Sequence, residues 1–213
     1  MSANDRRDER TNEDRQQKLD EIEAVLVGLT ASPLYAYRQQ HGYHAVVGEG
    51  SLEAHIMLIG EAPGEREAKI GRPFVGASGR LLDELLASIG VQRADVYITN
   101  VVKDRPPENR DPSPAEIKLY APLLRQQIEL IQPRVIATLG RFAMSFVIDF
   151  LDVTTQQMPK ISELHGKVLQ GKASYGAVAV VPLFHPAVAL YNGQQKDTLF
   201  ADFETLRPYL LAK

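Results

Sequence analysis

Ile56-Met57-Leu58-Ile59, running straight into Gly60-Glu61-Ala62-Pro63-Gly64-Glu65-Arg66-Glu67, is the stretch on which the fold turns. Four consecutive apolar residues, preceded by a polar segment and ended by glycine, read as a strand buried on both faces. Such a strand belongs in a parallel sheet with helices on either side. The turn after it carries chemistry: Gly60 and Gly64 let a backbone approach a ligand closely, Pro63 stiffens the path, and three glutamates supply carboxylates. Far along the chain the same grammar returns. Val178-Ala179-Val180-Val181-Pro182-Leu183-Phe184 is a second apolar run, and His185-Pro186-Ala187 follows it. In an open parallel sheet, ligands bind beyond the carboxyl ends of the strands. Two distant segments delivering acid and base to one sheet edge point to an active site.

Outward from these two runs a β/α alternation appears. Leu19, Ile22, Val25, Leu26 and Leu29 recur at helical spacing, so an amphipathic helix is expected to about Thr30. The stretch before it (residues 1–17) is polar and charged and reads as a disordered arm or a frayed helix extension, with a single domain over 18–213. Ser32 to Gly50 reads as loop with short helical turns. His55–Ile59 is the first strand, and Leu81, Leu82, Leu85, Leu86 and Ile89 mark a helix that Gly90 ends. Val96–Val102 is a second strand, and the proline-rich Arg105–Pro114 an extended loop. Ser113 caps a helix over Ala115–Ile131, with Glu116 completing a capping box. Val135–Leu139 is the third strand and Arg141–Phe150 the next helix. A hairpin is expected within Leu164–Val181 before the last parallel strand, and Leu199–Leu211 closes the chain as a helix. The predicted fold class is α/β: a three-layer α/β/α sandwich around a central four-stranded, mainly parallel sheet.

Composition narrows the class. The chain has 213 residues, 44% of them hydrophobic and 24% charged, which suits a water-soluble domain with a substantial core. No apolar run reaches membrane-spanning length, and the charged N-terminus has no signal-peptide core, so a cytoplasmic location is expected. A net charge of −3 excludes a uniformly basic surface but not a local basic rim. Lys69, Arg72, Arg80, Lys103, Arg105 and Arg110 all fall in or near the loops at the expected ligand side. There are no cysteines, hence no disulfides and no thiolate metal ligands. The histidines other than His185 show no metal-ligand spacing.

The candidate site residues each admit a plainer role. Glu61, Glu65 and Glu67 would repel phosphate, and the turn has neither GxGxxG nor Gly-Lys-Ser/Thr, so a nucleotide-phosphate loop is excluded. The acids suit water activation, cation stabilisation or hydrogen bonding to a neutral base; they equally suit a solvated strand-to-helix turn. Phe74, in Gly71-Arg72-Pro73-Phe74-Val75-Gly76, is a stacking platform for a planar ring or a loop anchor. Asn100 ends Tyr97-Ile98-Thr99-Asn100 with a side chain that both donates and accepts, able to match an imide edge, or is a turn former. His185 can donate to a leaving group that becomes anionic, or be a satisfied structural histidine.

Taken together, GEAPGEREAKIGRPFVGASGRLLDELL, VYITNVVKDRPPENRDPSPAEI and FHPAVAL, in this order, resemble the uracil-DNA glycosylase superfamily, family 4 above all. The likeness covers roughly residues 45–205. It implies hydrolysis of the N-glycosidic bond of deoxyuridine in DNA, leaving an abasic site. By position, Glu61 and Glu67 become the water-activating and base-contacting acids, and His185 the histidine that stabilises the departing base. Phe74 stacks on uracil, Asn100 reads its edge, and Ala62 and Glu67 are candidates for the wall that rejects thymine. Lys69, Arg72, Lys103 and Arg105 are expected on phosphates. Leu190 is expected to fill the gap left by the flipped base, because the bulky residue usual four positions after the histidine is Ala189 here. The expected partner is uracil-containing DNA, single- or double-stranded, and the expected state a monomer.

One departure stands out. Family 4 enzymes hold a [4Fe–4S] cluster on four cysteines, and this chain has none. Asp104 and Tyr120 stand at two of those positions, and the other pair falls near Pro33–Tyr37. No cofactor is therefore expected, and Asp104, Tyr120 and Tyr35 or Tyr37 are expected to pin the same loops by hydrogen bonding and packing. Other readings are a non-catalytic binder of uracil-containing or single-stranded DNA on the same fold, a glycosylase for another deaminated base, and, more remotely, a nucleoside hydrolase.

Overall fold

The computed structural model describes residues 3–154 and 160–210, with the side chains of residues 3–11 left aside. Six strands form one sheet: β1 (Glu49–Gly50), β2 (Ile56–Gly60), β3 (Tyr97–Asn100), β4 (Val135–Leu139), β5 (Leu169–Ala173) and β6 (Gly176–Leu183), in the spatial order β1-β3-β2-β4-β6-β5. The inner four, β3-β2-β4-β6, are parallel, as the apolar runs imply. The sheet has two more strands than the four expected, because β1 and β5 pair antiparallel on its two edges. β5 and β6 are the expected hairpin. β1 is only two residues long and carries no period that a sequence could display.

Alternation along the strands builds two cores. Met57, Ile59, Tyr97, Ile136, Val178 and Val180 face one side, where α1 (Ala3–Val27), α5 (Pro114–Ile131) and α6 (Arg141–Phe150) supply Leu19, Ile22, Leu26, Leu124, Ile128, Met144 and Val147. Ile56, Leu58, Ile98, Val135, Ala137, Val181 and Leu183 face the other, where α4 (Ala77–Ser88) and α8 (Gly193–Phe203) supply Leu81, Leu82, Leu85, Leu199 and Phe203. Each inner strand is thus buried on both faces, which is the physical reason its sequence is continuously apolar.

The helix starts follow local chemistry. Ser113 accepts from the Glu116 backbone N–H while the Glu116 carboxylate accepts from that of Ser113, the expected capping box. Within the stretch expected as loop, Ser32 and Pro33 open α2 (Pro33–His41), which Gly42 ends in the left-handed region. The last helix starts at Gly193, earlier than Leu199, capped by Asn192. It gives way to a 3₁₀ segment over Glu204–Tyr209 that accommodates Pro208. Its expected end at Leu211 lies outside the described residues.

The order β3-β2-β4 matters most for function. From β2 the chain crosses through α3 (Glu65–Ile70) and α4 to β3 on one side. From β3 it crosses through α5 to β4 on the other side. The carboxyl end of β2, where Gly60 and Glu61 sit, is therefore a topological switch point, the place where such sheets open a crevice.

Candidate active site

A cleft of about 350 Å³ opens at that end of the sheet. Its walls include Glu61, Ala62, Gly64, Glu67, Phe74, Asn100 and His185. All the residues expected to activate water, stack, read or stabilise the base thus reach one cavity, from four separate stretches of chain. Pro63, Ser78, Pro106, Asn109, Arg110 and Ala187 complete it. Of these, Ser78, Pro106, Asn109 and Ala187 have no role predicted from the sequence; the signal for Pro106 and Asn109 is the proline-rich loop, whose Glu108 and Asn109 both take positive φ (55° and 54°).

Gly60 sets the spacing between Asn100 and Phe74. A Cβ there would stand 2.4 Å from Asn100 Oδ1 and 2.6 Å from the tip of the Phe74 ring, so only glycine lets both close over the strand end. Asn100 is 2% exposed, and its Oδ1 accepts no hydrogen bond from the described residues. A buried carbonyl oxygen left without a donor costs roughly 1–3 kcal/mol, a penalty that a bound N–H would relieve. The backbone just past β3 is tied to the glutamate turn: the N–H groups of Val101 and Val102 donate to the carbonyls of Gly60 and Glu61, at 2.9 and 3.0 Å.

His185 is half-buried, its ring centroid 5.7 Å from that of Phe74. Its Nδ1 accepts from the Ala187 backbone N–H at 3.2 Å. An Nδ1 that accepts leaves the ring proton on Nε2, so a neutral His185 is a donor through Nε2. Burial lowers its pKa to about 4, against the opposing pull of Glu67; the ring is neutral at pH 7. Gly140, at φ 96°, passes close beneath it, where a Cβ would sit 3.3 Å from that of His185.

The two acids divide their duties. Burial raises the Glu61 carboxyl, the nearby Asp111 raises it further, and Arg141 opposes both. Glu61 forms none of the side-chain hydrogen bonds found among the described residues, which leaves its oxygens open to water. Glu67 is committed on one side: its Oε1 accepts from the N–H groups of Val75 and Gly76 at 2.9 and 2.8 Å. It fastens the loop that carries Phe74.

The expected phosphate contacts fare unevenly. Lys103 is fully buried, its ammonium enclosed by Thr99 Oγ1, Gln127 Oε1 and the Val47 carbonyl. Enclosed in this way it cannot reach a phosphate, contrary to expectation, and burial lowers its pKa well below the usual lysine range. Arg105 is mostly covered and bonds the Tyr43 hydroxyl at 2.8 Å and Asn109 Oδ1 at 2.9 Å. Lys69 and Arg72 are exposed, each paired with a glutamate at 2.6 Å: Glu65 and Glu49 respectively. Leu190 is partly buried against the core under α4 and α8, so it is poorly placed as a wedge; Val188 and Tyr191 are the exposed large hydrophobic side chains of that segment, Tyr191 at 96%.

The residues at the expected cluster positions do not fit an iron–sulfur centre. Cluster irons are held by thiolates, and no cysteine exists in the chain. The side chains there instead bond one another. Arg38 (3% exposed) meets both oxygens of Asp104 (1% exposed) at 3.0 and 3.3 Å. Tyr120 donates to Asp104 Oδ2 at 2.6 Å and shares a 2.7 Å hydrogen bond with Ser32. Arg38 also donates to the carbonyls of Leu26 and Val27 and lies over the Tyr35 ring. Asp104 and Tyr120 thus pin the loops as expected, but their partners are Ser32 and Arg38. Tyr37 packs elsewhere, against His41 and Tyr43.

Comparison with known proteins identifies the family. The family model described as the uracil DNA glycosylase superfamily matches residues 47–207. A type-4 uracil-DNA glycosylase of Archaeoglobus fulgidus is 45% identical over 161 residues, 76% of this chain and 79% of that protein. One of Thermotoga maritima is 42% identical over 183 residues, 85% and 88% of the two chains. A type-5 uracil-DNA glycosylase of Pyrobaculum aerophilum is 32% identical over 174 residues, 74% and 73% of the two chains. The chain belongs to the uracil-DNA glycosylase superfamily.

Proposed function

We propose that this protein is a uracil-DNA glycosylase that hydrolyses the bond between uracil and deoxyribose in DNA, and that it does so without an iron–sulfur cluster. The observation that carries the reading is the buried, donor-less Asn100 Oδ1 beside the Phe74 ring, in a cleft that also holds a carboxylate and a neutral imidazole.

The target nucleotide leaves the base stack, at a cost of a few kcal/mol that is lower in single strands and at U·G mispairs. Phe74 stacks on the extruded ring. Asn100 Oδ1 accepts from uracil N3–H while its amide donates to O4; cytosine, with no proton at N3 and an amino group at C4, offers the opposite pattern. Ala62 and the Glu67 side chain, both in the cleft wall, would reject the 5-methyl group of thymine.

As the C1′–N1 bond breaks, its electron pair moves onto uracil and positive charge gathers on the sugar. His185 donates Nε2–H to the uracil oxygen that becomes anionic. Glu61 offsets the oxocarbenium charge and orients water toward C1′, taking a proton as the new C–O bond forms. Lys69, Arg72 and Arg110 lie on the exposed rim and exchange their carboxylate partners for phosphates. Val188 and Tyr191, rather than Leu190, meet the strand from which the base has left. All four reacting groups come from one chain, which supports action as a monomer, and the substrate places it with the cell's DNA.

Incubation with labelled oligonucleotides bearing U·A, U·G, single-stranded U, T·G or hypoxanthine, followed by alkali, tests the reading. Strand breaks at uracil, lost in Asn100→Ala and His185→Ala, are expected. Tight uracil-DNA binding with no break would instead identify a binder, and breaks only at hypoxanthine a different glycosylase.

A further inference from the structure

Phe74 has a backbone φ of 50°, a conformation that a bulky residue adopts only when its surroundings hold it there. The surroundings are specific. On the donor side of the loop, Glu67 Oε1 takes the N–H groups of Val75 and Gly76. On the acceptor side, Arg93 places one guanidinium nitrogen on the Phe74 carbonyl at 3.0 Å and the other on the Pro73 carbonyl. Beneath, Gly79 leaves room for the loop, since a Cβ there would fall 1.8 Å from the Phe74 oxygen.

Arg93 is itself fixed. Its Nε donates to Glu49, which also holds Arg72, and its Nη1 meets Asp83 at 3.1 Å. Arg93 sits in the short 3₁₀ turn before β3 and does not line the cleft. A planar five-donor fork spanning two consecutive carbonyls fixes their relative orientation in a way a point charge cannot.

We infer that Arg93, backed by Glu49, is a positioning residue for the reaction: it holds the Pro73–Phe74 carbonyls so that the Phe74 ring stays in the plane that receives uracil. This rests on the uracil reading above for its consequence, but the clamp can be tested apart from it. Amide hydrogen exchange at Val75 and Gly76 reports the loop directly, and uracil release reports its effect on chemistry.

Arg93→Met is expected to speed exchange at Val75 and Gly76 about tenfold or more, leave exchange in β2 and β4 unchanged, and lower kcat/KM about tenfold. Arg93→Lys, which keeps the charge but loses the fork, is expected to fall between. In a Phe74→Ala background, Arg93→Met is expected to lower kcat/KM by less than about twofold, because the ring it positions is gone. Unchanged exchange at Val75 and Gly76 in both Arg93 variants overturns the clamp whatever the activity. An equal loss of kcat/KM with and without Phe74 overturns its action through the ring. Faster loop exchange in a protein that releases no uracil at all leaves the clamp standing and refutes the glycosylase reading instead.

Discussion

Replacing Asp104 by alanine removes one half of a buried ion pair and leaves the other half in place. Arg38 would keep its bonds to the Leu26 and Val27 carbonyls but lose two contacts, at 3.0 and 3.3 Å, to the only carboxylate beside it among the described residues. Tyr120 would lose its 2.6 Å acceptor and retain Ser32 alone. Breaking a buried pair by deleting one partner costs about 3–5 kcal/mol, because the surviving charge stays desolvated. For a chain of this size each kcal/mol moves the melting temperature by about 2–4 °C, so a fall of roughly 6–20 °C is expected. The double variant Arg38→Met/Asp104→Leu strands no charge and should lose far less than Asp104→Ala, about 1–2 kcal/mol for the tyrosine hydroxyl. Calorimetry on the three proteins, with iron analysis of each, checks both figures. A fall below about 2 °C for Asp104→Ala, or a double variant less stable than the single, would refute the claim that Asp104 and Tyr120 pin these loops through a buried network.

Four further outcomes follow from the site. In the proposed mechanism Glu61 is ionised when it orients water, and its carboxyl is raised above the ordinary glutamate value by burial and Asp111; Asp111→Asn should therefore shift the acid limb of kcat toward lower pH, and an unmoved limb would argue against Glu61 as the titrating group. Gly60→Ala should cut kcat/KM by about a hundredfold or more, since the new methyl displaces Asn100 Oδ1 and Phe74, while circular dichroism stays unchanged. Lys103→Met should leave the salt dependence of DNA binding untouched, whereas Arg110→Gln should lower the slope of log K against log salt by about one. His185 has a folded pKa of about 4, below its unfolded value near 6.5. The unfolded chain thus takes a proton in that window that the folded one refuses, so stability should fall as pH drops from about 6.5 to 4, less steeply in His185→Asn.

Much of the fold was legible because burial on two faces writes a continuous apolar run, as in Ile56–Ile59 and Val178–Leu183, and because Ser113 and Glu116 form a cap with a local signature. β1 was not, since two residues have no period, and α2 was hidden by aromatic and polar residues whose order shows no apolar stripe. The cleft residues were readable from residue type at strand ends: Glu61 after β2, Asn100 closing β3, His185 after β6. Lys103 was misread because lysine in a loop after a strand is ordinarily solvated, and nothing local reveals that Thr99, Gln127 and Val47 enclose it from three separate parts of the chain. The partners of Asp104 escaped for a related reason: Ser32 lies 88 residues from Tyr120, and Arg38 lies 66 from Asp104, so only the tertiary fold joins them.

Iron content and uracil release, measured on the same purified sample, test the central claim most directly. Protein prepared with and without added iron and sulfide, then given a single-stranded oligonucleotide with one labelled uracil, should in both cases contain no bound iron and release free uracil at the same rate. Stoichiometric iron in the active fraction, or no uracil release from folded protein under either condition, would contradict it.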